Sequence, residues 1–319
     1  MKAENIKTVA VIGAGFIGPG IAQVFAAKNS KVCLMDIKDE TLHKSIESIR
    51  ANLLQMAQEG IIAQTRIGPI LQNIKTTTNM NEAVSGAQFV IEAVDENLLL
   101  KQRIFQDLDR ICPPETILTS NTSVISITEI ASKADHRERI IGTHFWNPPY
   151  LIPLVEVIRA RDSSDEIMNV AYEFLRNAGK HPVKVLKDVP GFIGNRLQHA
   201  LWREAISIVE NGIADAASVD EVIKSGFAIR LPVLGPLENA DMVGLDLTLA
   251  IHDYILKYIE SRPGPSPLLK EKVQRGDLGF KSGHGFYNWT ATQAKKSGEM
   301  LSRYLLNWLK SQRPPPRTG

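Results

Sequence analysis

Two residues in one short segment carry the groups needed to move a proton. Residues 144–158 read HFWNPPYLIPLVEVI and contain His144 and, twelve positions later, Glu156. Removal of a hydride from an alcohol requires a base for the hydroxyl proton, and a carboxylate on the other ring nitrogen orients and stabilises that base. Glu156 lies in the strand-like segment LVEVI, near enough to fold back toward His144. We therefore predict that His144 is a general base and Glu156 its partner. The alternative is a histidine packed in the core among its apolar neighbours.

A serine is predicted near this pair. The residues NTS at 121–123 follow the apolar segment TILTS, so Ser123 should lie at the carboxyl edge of a sheet, where open α/β folds bind ligands. His144 ends the next predicted strand at the same edge. Alternatively, Ser123 caps the helix that begins at ISITEI, a role that serine often fills.

A glycine-rich segment has the spacing of a dinucleotide-binding loop. GAGFIG places Gly13, Gly15 and Gly18 between an apolar strand and the helix IAQVFAAK, so the helix N-terminus can face a pyrophosphate. Asp36 ends the second strand, where it can accept a hydrogen bond from the ribose 2′-hydroxyl and repel a 2′-phosphate. This predicts NAD rather than NADP. The alternative for Asp36 is a solvent-facing acidic residue at a strand end.

The elements that position these residues alternate along the first 187 residues. Short β-branched runs are predicted as strands at 8–13, 31–36, 88–94, 116–120, 139–145 and 182–186. Helix-periodic segments lie between them, which predicts an α/β Rossmann-like fold with a doubly wound parallel sheet. A helix starting after Ser164 and ending at Gly179 is the clearest of these.

Two further segments depart from the alternation. Residues 40–72 are predicted to form an inserted helical hairpin with a bend at Gly60 and a weaker break at Gly68-Pro69. After KDVPGF the apolar residues recur only at helical spacing, with helices expected around 218–224 and 245–259. We therefore predict a domain at 1–188, an all-helical domain at 189–319 and a disordered Pro-rich tail.

The composition excludes several classes of partner. A net charge of +2 over 319 residues, with interspersed signs, predicts binding neither to nucleic acid nor to a membrane surface. The two cysteines, Cys33 and Cys112, have no metal-ligand or disulfide spacing, which predicts a cytoplasmic protein without a metal. No signal peptide or apolar run long enough to span a bilayer is evident.

Six motifs in order resemble the L-3-hydroxyacyl-CoA dehydrogenase family over nearly the whole chain. They are GAGFIGPGIAQVFA, VIEAVDENLLLK, SNTSVISITEIA, HFWNPPYLIPLVEVI, KDVPGFIGNRL and GFKSGHGFYNW. The resemblance implies an NAD domain, a helical domain that forms a homodimer, and an active site in the cleft between the two domains.

The resemblance also implies roles for individual residues. His144 matches the catalytic base and Glu156 its partner, while Ser123 and Asn195 match the residues that hydrogen-bond the substrate oxygen. Asn147 matches a residue near the nicotinamide and the substrate. Without the match, Asn195 could simply cap a helix or bridge the domain junction.

The same resemblance implies further cofactor contacts. They are Phe16, Ile17, Ala93, Glu96, Lys101, Asn121 and Lys281. The alternative for Lys101 is a solvated charge on a helix.

Two substrate classes remain open. Acyl-CoA members typically have HFFNPVPVMKLVEV where this chain has HFWNPPYLIPLVEV, and the NPP form resembles branches that act on small free carboxylates, such as L-gulonate 3-dehydrogenase and L-carnitine dehydrogenase. Arg230, in IRLPVLGPLE, offers a planar fork suited to a free carboxylate, although a surface ion pair is the alternative. The predicted hairpin holds few cations for a CoA phosphate cluster. Against this, most members with a GFYNW motif act on CoA thioesters.

Two non-enzymatic classes are also considered, an NAD-binding structural protein and an NAD-sensing module. Neither requires Ser123, His144, Glu156 and Asn195 together. Turnover in a His144→Ala variant separates them from an enzyme.

Overall fold

The computed structural model describes residues 1–312, so the predicted disordered tail lies almost entirely outside the described residues. The chain forms two compact units. The first comprises Met1–Asn195 together with the chain from Ser302 onward, and the second comprises Arg196–Leu301. The sequence placed its domain boundary at 188/189, seven residues before the end of the first segment.

The first unit contains the eight strands found in residues 1–312 and most of the helices that flank them. The strands are β1 Thr8–Ile12, β2 Lys31–Met35, β3 Ile74–Thr77, β4 Phe89–Glu92, β5 Ile117–Ser120, β6 Ile140–Phe145, β7 Leu154–Arg159 and β8 His181–Val185. The helices are α1 Gly18–Ala27, α2 Asp39–Gln58, α3 Ile67–Gln72, α4 Met80–Val84, α5 Leu98–Ile111, α6 Ile127–Ile130 and α7 Asp165–Asn177.

The strands form one sheet in the order β3-β2-β1-β4-β5-β6-β7-β8. Every neighbouring pair is parallel except β6 and β7, which are antiparallel. The predicted Rossmann-like sheet is therefore confirmed. The edge strand β3 was missed, because its sequence IKTT has two exposed residues and no apolar run.

Both faces of the sheet are covered by apolar side chains, as a parallel sheet requires. On one face Phe25 of α1 stacks on Phe174 of α7, with ring centroids 5.2 Å apart. On the other face Phe105 and Leu108 of α5 pack with Leu118. The carboxyl ends of the strands are thereby held rigidly from both sides.

The predicted hairpin is present as α2 followed by α3. Gly60 has φ +70° and makes the bend after α2, as expected. The predicted break at Gly68-Pro69 is wrong, because both residues lie inside the first turn of α3, where proline is tolerated. The prediction for α7 is confirmed, since the Ser164 hydroxyl accepts a hydrogen bond from the Ile167 amide at 3.2 Å.

The second unit is built from helices. They are α8 Gly194–Glu210, α9 Ala216–Ser225, α10 Pro236–Val243, α11 Leu245–Ile255, α12 Pro267–Gln274 and α13 Ala291–Ser311, of which α8 starts and α13 ends in the first unit. The helices expected around 218–224 and 245–259 correspond to α9 and α11. Within residues 1–312, no helix has the length and apolar character needed to cross a membrane.

Candidate active site

His144 and Glu156 are cross-strand partners. In the antiparallel pairing of β6 and β7, His144 lies directly opposite Glu156. The Nδ1 atom of His144 is 2.7 Å from Oε2 of Glu156, and both residues are buried, at 5% and 1% exposure. The chain reversal between the two strands thus brings together the two residues that the sequence separates by twelve positions.

The second oxygen of Glu156 is held by the start of α8. The amides of Ile193 and Gly194 donate to Oε1 at 2.9 and 3.0 Å. Burial raises the pKa of Glu156, but the hydrogen bonds from His144 and from these two amides outweigh it and hold the pKa below its usual value. An ionised carboxylate only accepts hydrogen bonds, so Nδ1 of His144 is the donor and Nε2 keeps a free lone pair. This is the tautomer that a general base needs.

Aromatic rings surround the imidazole. The ring centroids of Trp146 and Phe192 lie 5.5 and 5.8 Å from that of His144. His144 is therefore packed, as the alternative interpretation required, but it also has a charged partner. An apolar shell of this kind strengthens the electrostatic coupling between His144 and Glu156.

Ser123 lies at the carboxyl edge of β5, where the sequence placed it. Its backbone amide donates to Oε1 of Glu96 at 3.0 Å, and its carbonyl accepts from Nδ2 of Asn195 at 2.8 Å. It does not cap α6, because that cap is Ser126, whose hydroxyl accepts from the Glu129 amide. The structure thus brings Ser123 and Asn195 into contact.

A charged cluster of Glu92, Glu96 and Lys101 lies beside this edge of the sheet. Nζ of Lys101 lies 2.7 Å from Oε1 of Glu92 and 3.4 Å from Oε2 of Glu96. Lys101 is 1% exposed, so it is not a solvated helix charge. Burial raises the pKa of Glu96, but the Thr122 hydroxyl, Lys101 and the Val124 and Ser123 amides together lower it below its usual value.

Glu92 was missed by the sequence reasoning. It is fully buried and also accepts a hydrogen bond from the Ser120 hydroxyl at 2.6 Å. The signal was present, because a glutamate inside the apolar strand QFVIEAV requires a buried cation as a partner. The cation is Lys101.

Two asparagines flank the His144 strand. Oδ1 of Asn121 accepts a hydrogen bond from the amide of Phe145 at 2.8 Å, which ties the end of β5 to the end of β6. Asn147 is exposed and begins the loop after β6, where its peptide bond to Pro148 is cis.

The glycine-rich loop has the geometry of a pyrophosphate cradle. Gly13 has φ +107°, and a Cβ there would lie 2.5 Å from the carbonyl oxygen of Ala93. A Cβ at Gly18 would collide with the carbonyl oxygen of Gly13, whereas the space above Gly15 is open. Open space at the middle glycine, between two that fix a tight turn, fits the approach of a dinucleotide phosphate.

Asp36 and the remaining loop residues complete this site. Oδ2 of Asp36 accepts a hydrogen bond from the Ala14 amide at 2.9 Å, so the carboxylate is fixed beside the loop. Phe16 is 87% exposed at the tip of the loop, whereas Ile17 packs against the core. These residues fit NAD.

Arg230 and Lys281 belong to the second unit. Arg230 ends the 3₁₀ helix Phe227–Arg230, and Lys281 lies in the turn between Gly279 and Gly283; both are exposed. The ion pairs found among residues 1–312 do not include Arg230.

Comparison with known proteins gives the same picture. Residues 8–189 match the family described as 3-hydroxyacyl-CoA dehydrogenase, NAD binding domain, and residues 191–289 match its C-terminal domain. The chain is 39% identical over 286 residues to a probable 3-hydroxybutyryl-CoA dehydrogenase of Bacillus subtilis, covering 89% of this chain and 98% of that protein.

Two solved structures are similar over most of their length. One is 5-formyl-3-hydroxy-2-methylpyridine 4-carboxylic acid 5-dehydrogenase, an NAD+-dependent dismutase, with 30% identity, a TM-score of 0.88, and coverage of 97% of this chain and 100% of that one. The other is (S)-3-hydroxybutyryl-CoA dehydrogenase from Ralstonia eutropha, with 34% identity, a TM-score of 0.75, and coverage of 90% and 100%.

The dinucleotide fold and the comparisons define the chain as an NAD-dependent oxidoreductase that acts on CH–OH groups. It belongs to the 3-hydroxyacyl-CoA dehydrogenase family.

Proposed function

We propose that the protein oxidises the C3 hydroxyl of a 3-hydroxyacyl substrate to a 3-oxo group, with His144 as the general base. The observation that carries the proposal is the buried hydrogen bond of 2.7 Å between His144 and Glu156 at the carboxyl edge of the sheet. A buried imidazole that is oriented by an ionised carboxylate is the arrangement that general-base catalysis uses.

In this mechanism, Nε2 of His144 takes the hydroxyl proton, and Glu156 stabilises the imidazolium that forms. Ser123 and Asn195, which are linked by a hydrogen bond, hold the substrate oxygen. NAD, when bound, would supply the acceptor for the hydride that leaves the C3 carbon. In the reverse direction, His144 returns the proton to the oxygen.

We assign cofactor binding to residues 1–188 and substrate binding and dimerisation to residues 189–319. The dinucleotide loop and Asp36 are supported by their geometry, and Asp36 favours NAD. Further contacts are assigned to Ala93, Glu96, Lys101, Asn121, Asn147 and Lys281. The two cysteines are unpaired, which supports a cytoplasmic location.

Two classes of 3-hydroxy substrate are candidates, a CoA thioester and a free carboxylate. A CoA thioester is favoured by the Bacillus subtilis relative, whose name specifies one. A free carboxylate, bound through Arg230, is favoured by the carboxylic acid dehydrogenase of TM-score 0.88. Arginine matches a carboxylate through two parallel hydrogen bonds.

The second unit is proposed to pair with a second copy of the chain. None of the residues of α10 and α11 is buried, although α11 carries Leu245, Leu247, Leu249 and Ile251 at 48–63% exposure. An apolar surface of this kind on a natural protein marks an interface, and homodimers bury such surfaces most often.

The proposed reaction is tested by NADH formation at 340 nm from 3-hydroxybutyryl-CoA and from free 3-hydroxy acids, in wild type and Arg230→Ala. We expect oxidation of at least one substrate class by the wild type. If Arg230→Ala loses activity on the free acid alone, the result supports a free carboxylate as the substrate. Absence of NADH formation from every 3-hydroxy substrate would contradict the proposed reaction.

A further inference from the structure

The last helix of the chain lies beyond the segment that matches the family's C-terminal domain. The match to the family's C-terminal domain ends at residue 289, and α13 begins at Ala291. Residues 291–319 make up about 9% of the chain.

The end of α13 packs on the first unit, around the hairpin and one tyrosine. Leu306 is 1% exposed and forms a small apolar core with Ile61 and Leu151, against which Leu309 and Tyr150 pack. The helix is also tied by an ion pair between Nζ of Lys310 and Oε2 of Glu59, at 2.6 Å. The C-terminal helix therefore supports the residue that replaces proline in the acyl-CoA pattern, Tyr150.

Tyr150 is fixed from its other end by a polar chain. Its hydroxyl donates to Oδ1 of Asn52 at 3.0 Å, and Nδ2 of Asn52 donates to the buried Gln23 at 3.3 Å. Burial raises the pKa of Tyr150, so the phenol stays neutral and can donate. An aromatic side chain held at both ends forms a rigid wall rather than a movable gate.

That wall bounds a cavity that the dinucleotide loop and the first helix of the hairpin also line. The cavity measures about 490 Å³ and extends from the dinucleotide loop at Gly15 and Phe16 to Asn147, with Asn52 and Tyr150 on its far side. Its one lysine, Lys44, is paired with Glu40 at 2.6 Å. Arg66 of the hairpin is engaged by the Ala27 carbonyl and Asn29.

We propose that Tyr150, positioned by Asn52 and by α13, is a specificity-determining residue that restricts the substrate to a small free 3-hydroxy carboxylate and excludes CoA thioesters. The proposal rests on the proposed reaction. A CoA group needs room and cations for its phosphates. Tyr150 limits the room, and the lining of the cavity holds a single lysine, Lys44, whose charge is shared with Glu40. A small acid needs only space near His144 and one cation.

The test compares kcat/KM for (S)-3-hydroxybutyrate and (S)-3-hydroxybutyryl-CoA in four proteins. They are the wild type, Tyr150→Ala, Leu309→Ala and the control Tyr172→Ala, whose ring packs on Lys184 of β8. We expect the wild type to prefer the free acid, and Tyr150→Ala to shift the ratio toward the thioester at least tenfold. Leu309→Ala should shift it less in the same direction, and Tyr172→Ala should leave it unchanged.

A binding measurement separates this proposal from the reaction itself. We expect coenzyme A, titrated calorimetrically into the wild type with NADH, to give no binding at millimolar concentration, and Tyr150→Ala to gain measurable affinity. Tight binding of coenzyme A by the wild type, or an equal preference in wild type and Tyr150→Ala, overturns the proposal while leaving the oxidation chemistry intact. Failure of the wild type to oxidise either substrate instead contradicts the proposed reaction.

Discussion

Replacement of Glu156 by glutamine should remove most of the activity while leaving the shape of the site unchanged. The carboxylate accepts three hydrogen bonds, one from His144 and two from the amides of Ile193 and Gly194. In the Glu156→Gln variant the amide oxygen must face the two backbone N–H groups, because an NH₂ group there would leave both unpaired. The NH₂ group therefore donates to Nδ1 of His144 and forces the proton onto Nε2, the nitrogen that must accept the substrate proton.

The size of this effect follows from the role of the pair. A general base in the wrong tautomer loses its contribution of about 10²–10⁴-fold in rate. We therefore expect kcat to fall about a thousandfold, which corresponds to about 4 kcal/mol at 1.36 kcal/mol per factor of ten. Binding of NADH should not change, because the hydrogen bonds of Glu156 within residues 1–312 go to His144 and the start of α8, and not to the dinucleotide loop.

The assay is the initial rate of NADH formation, with NADH affinity measured by fluorescence. Glu138→Gln, at an exposed carboxylate of the same unit, is the matched control and should retain full activity. A Glu156→Gln variant that keeps kcat within threefold of the wild type would refute the tautomer argument. Loss of NADH binding together with activity would instead indicate a folding defect.

Three further predictions concern the cofactor, stability and assembly. Asp36→Asn removes the charge that repels a 2′-phosphate but keeps the acceptor for the Ala14 amide. The ratio of kcat/KM for NAD to kcat/KM for NADP should therefore fall about tenfold. An unchanged ratio would show that Asp36 does not select the cofactor. Burial lowers the pKa of Lys180 to about 8, from 10.5, so between these pH values the unfolded chain binds more protons. Urea titrations measure the difference in free energy of unfolding between the wild type and Lys180→Met. This difference should rise by about 3 kcal/mol in favour of the wild type from pH 8 to pH 10.5. A difference that does not vary with pH would contradict the lowered pKa of Lys180. Leu249→Glu places a charge on the side of α11 that exposes Leu245 and Leu249, and it should convert a dimer into a monomer in sedimentation velocity. A dimer in both proteins would show that this side of α11 is not the interface.

The sequence predicted the sheet well wherever burial left a clear pattern. Five of the six predicted strands are mostly buried, as in a parallel sheet covered on both faces, whereas β8 has three exposed residues among its five. The edge strand β3 has two exposed residues among its four and carries no such signal. The sequence predicted only that the chain folds back from β6 to β7. It did not predict the register of this antiparallel pair, because register depends on the geometry of the intervening loop.

At the site, the sequence identified residue types but not the contacts that fix them. His144 and Glu156 could be paired by their chemistry. Donation from the Ile193 and Gly194 amides could not be foreseen, because backbone groups leave no mark on composition. Tyr150 was visible only as a departure from a pattern, and its partners Asn52 and Leu309 lie far away along the chain.

The central claim is that His144 removes the hydroxyl proton in an NAD-dependent oxidation. It is tested most directly by measuring NADH formation and NADH affinity side by side in wild type and His144→Ala, with (S)-3-hydroxybutyrate and (S)-3-hydroxybutyryl-CoA as substrates. We predict that turnover of whichever substrate the wild type oxidises falls by about a thousandfold in the variant, while the dissociation constant for NADH stays within twofold. A variant that binds NADH normally and turns over at close to the wild-type rate would contradict the account.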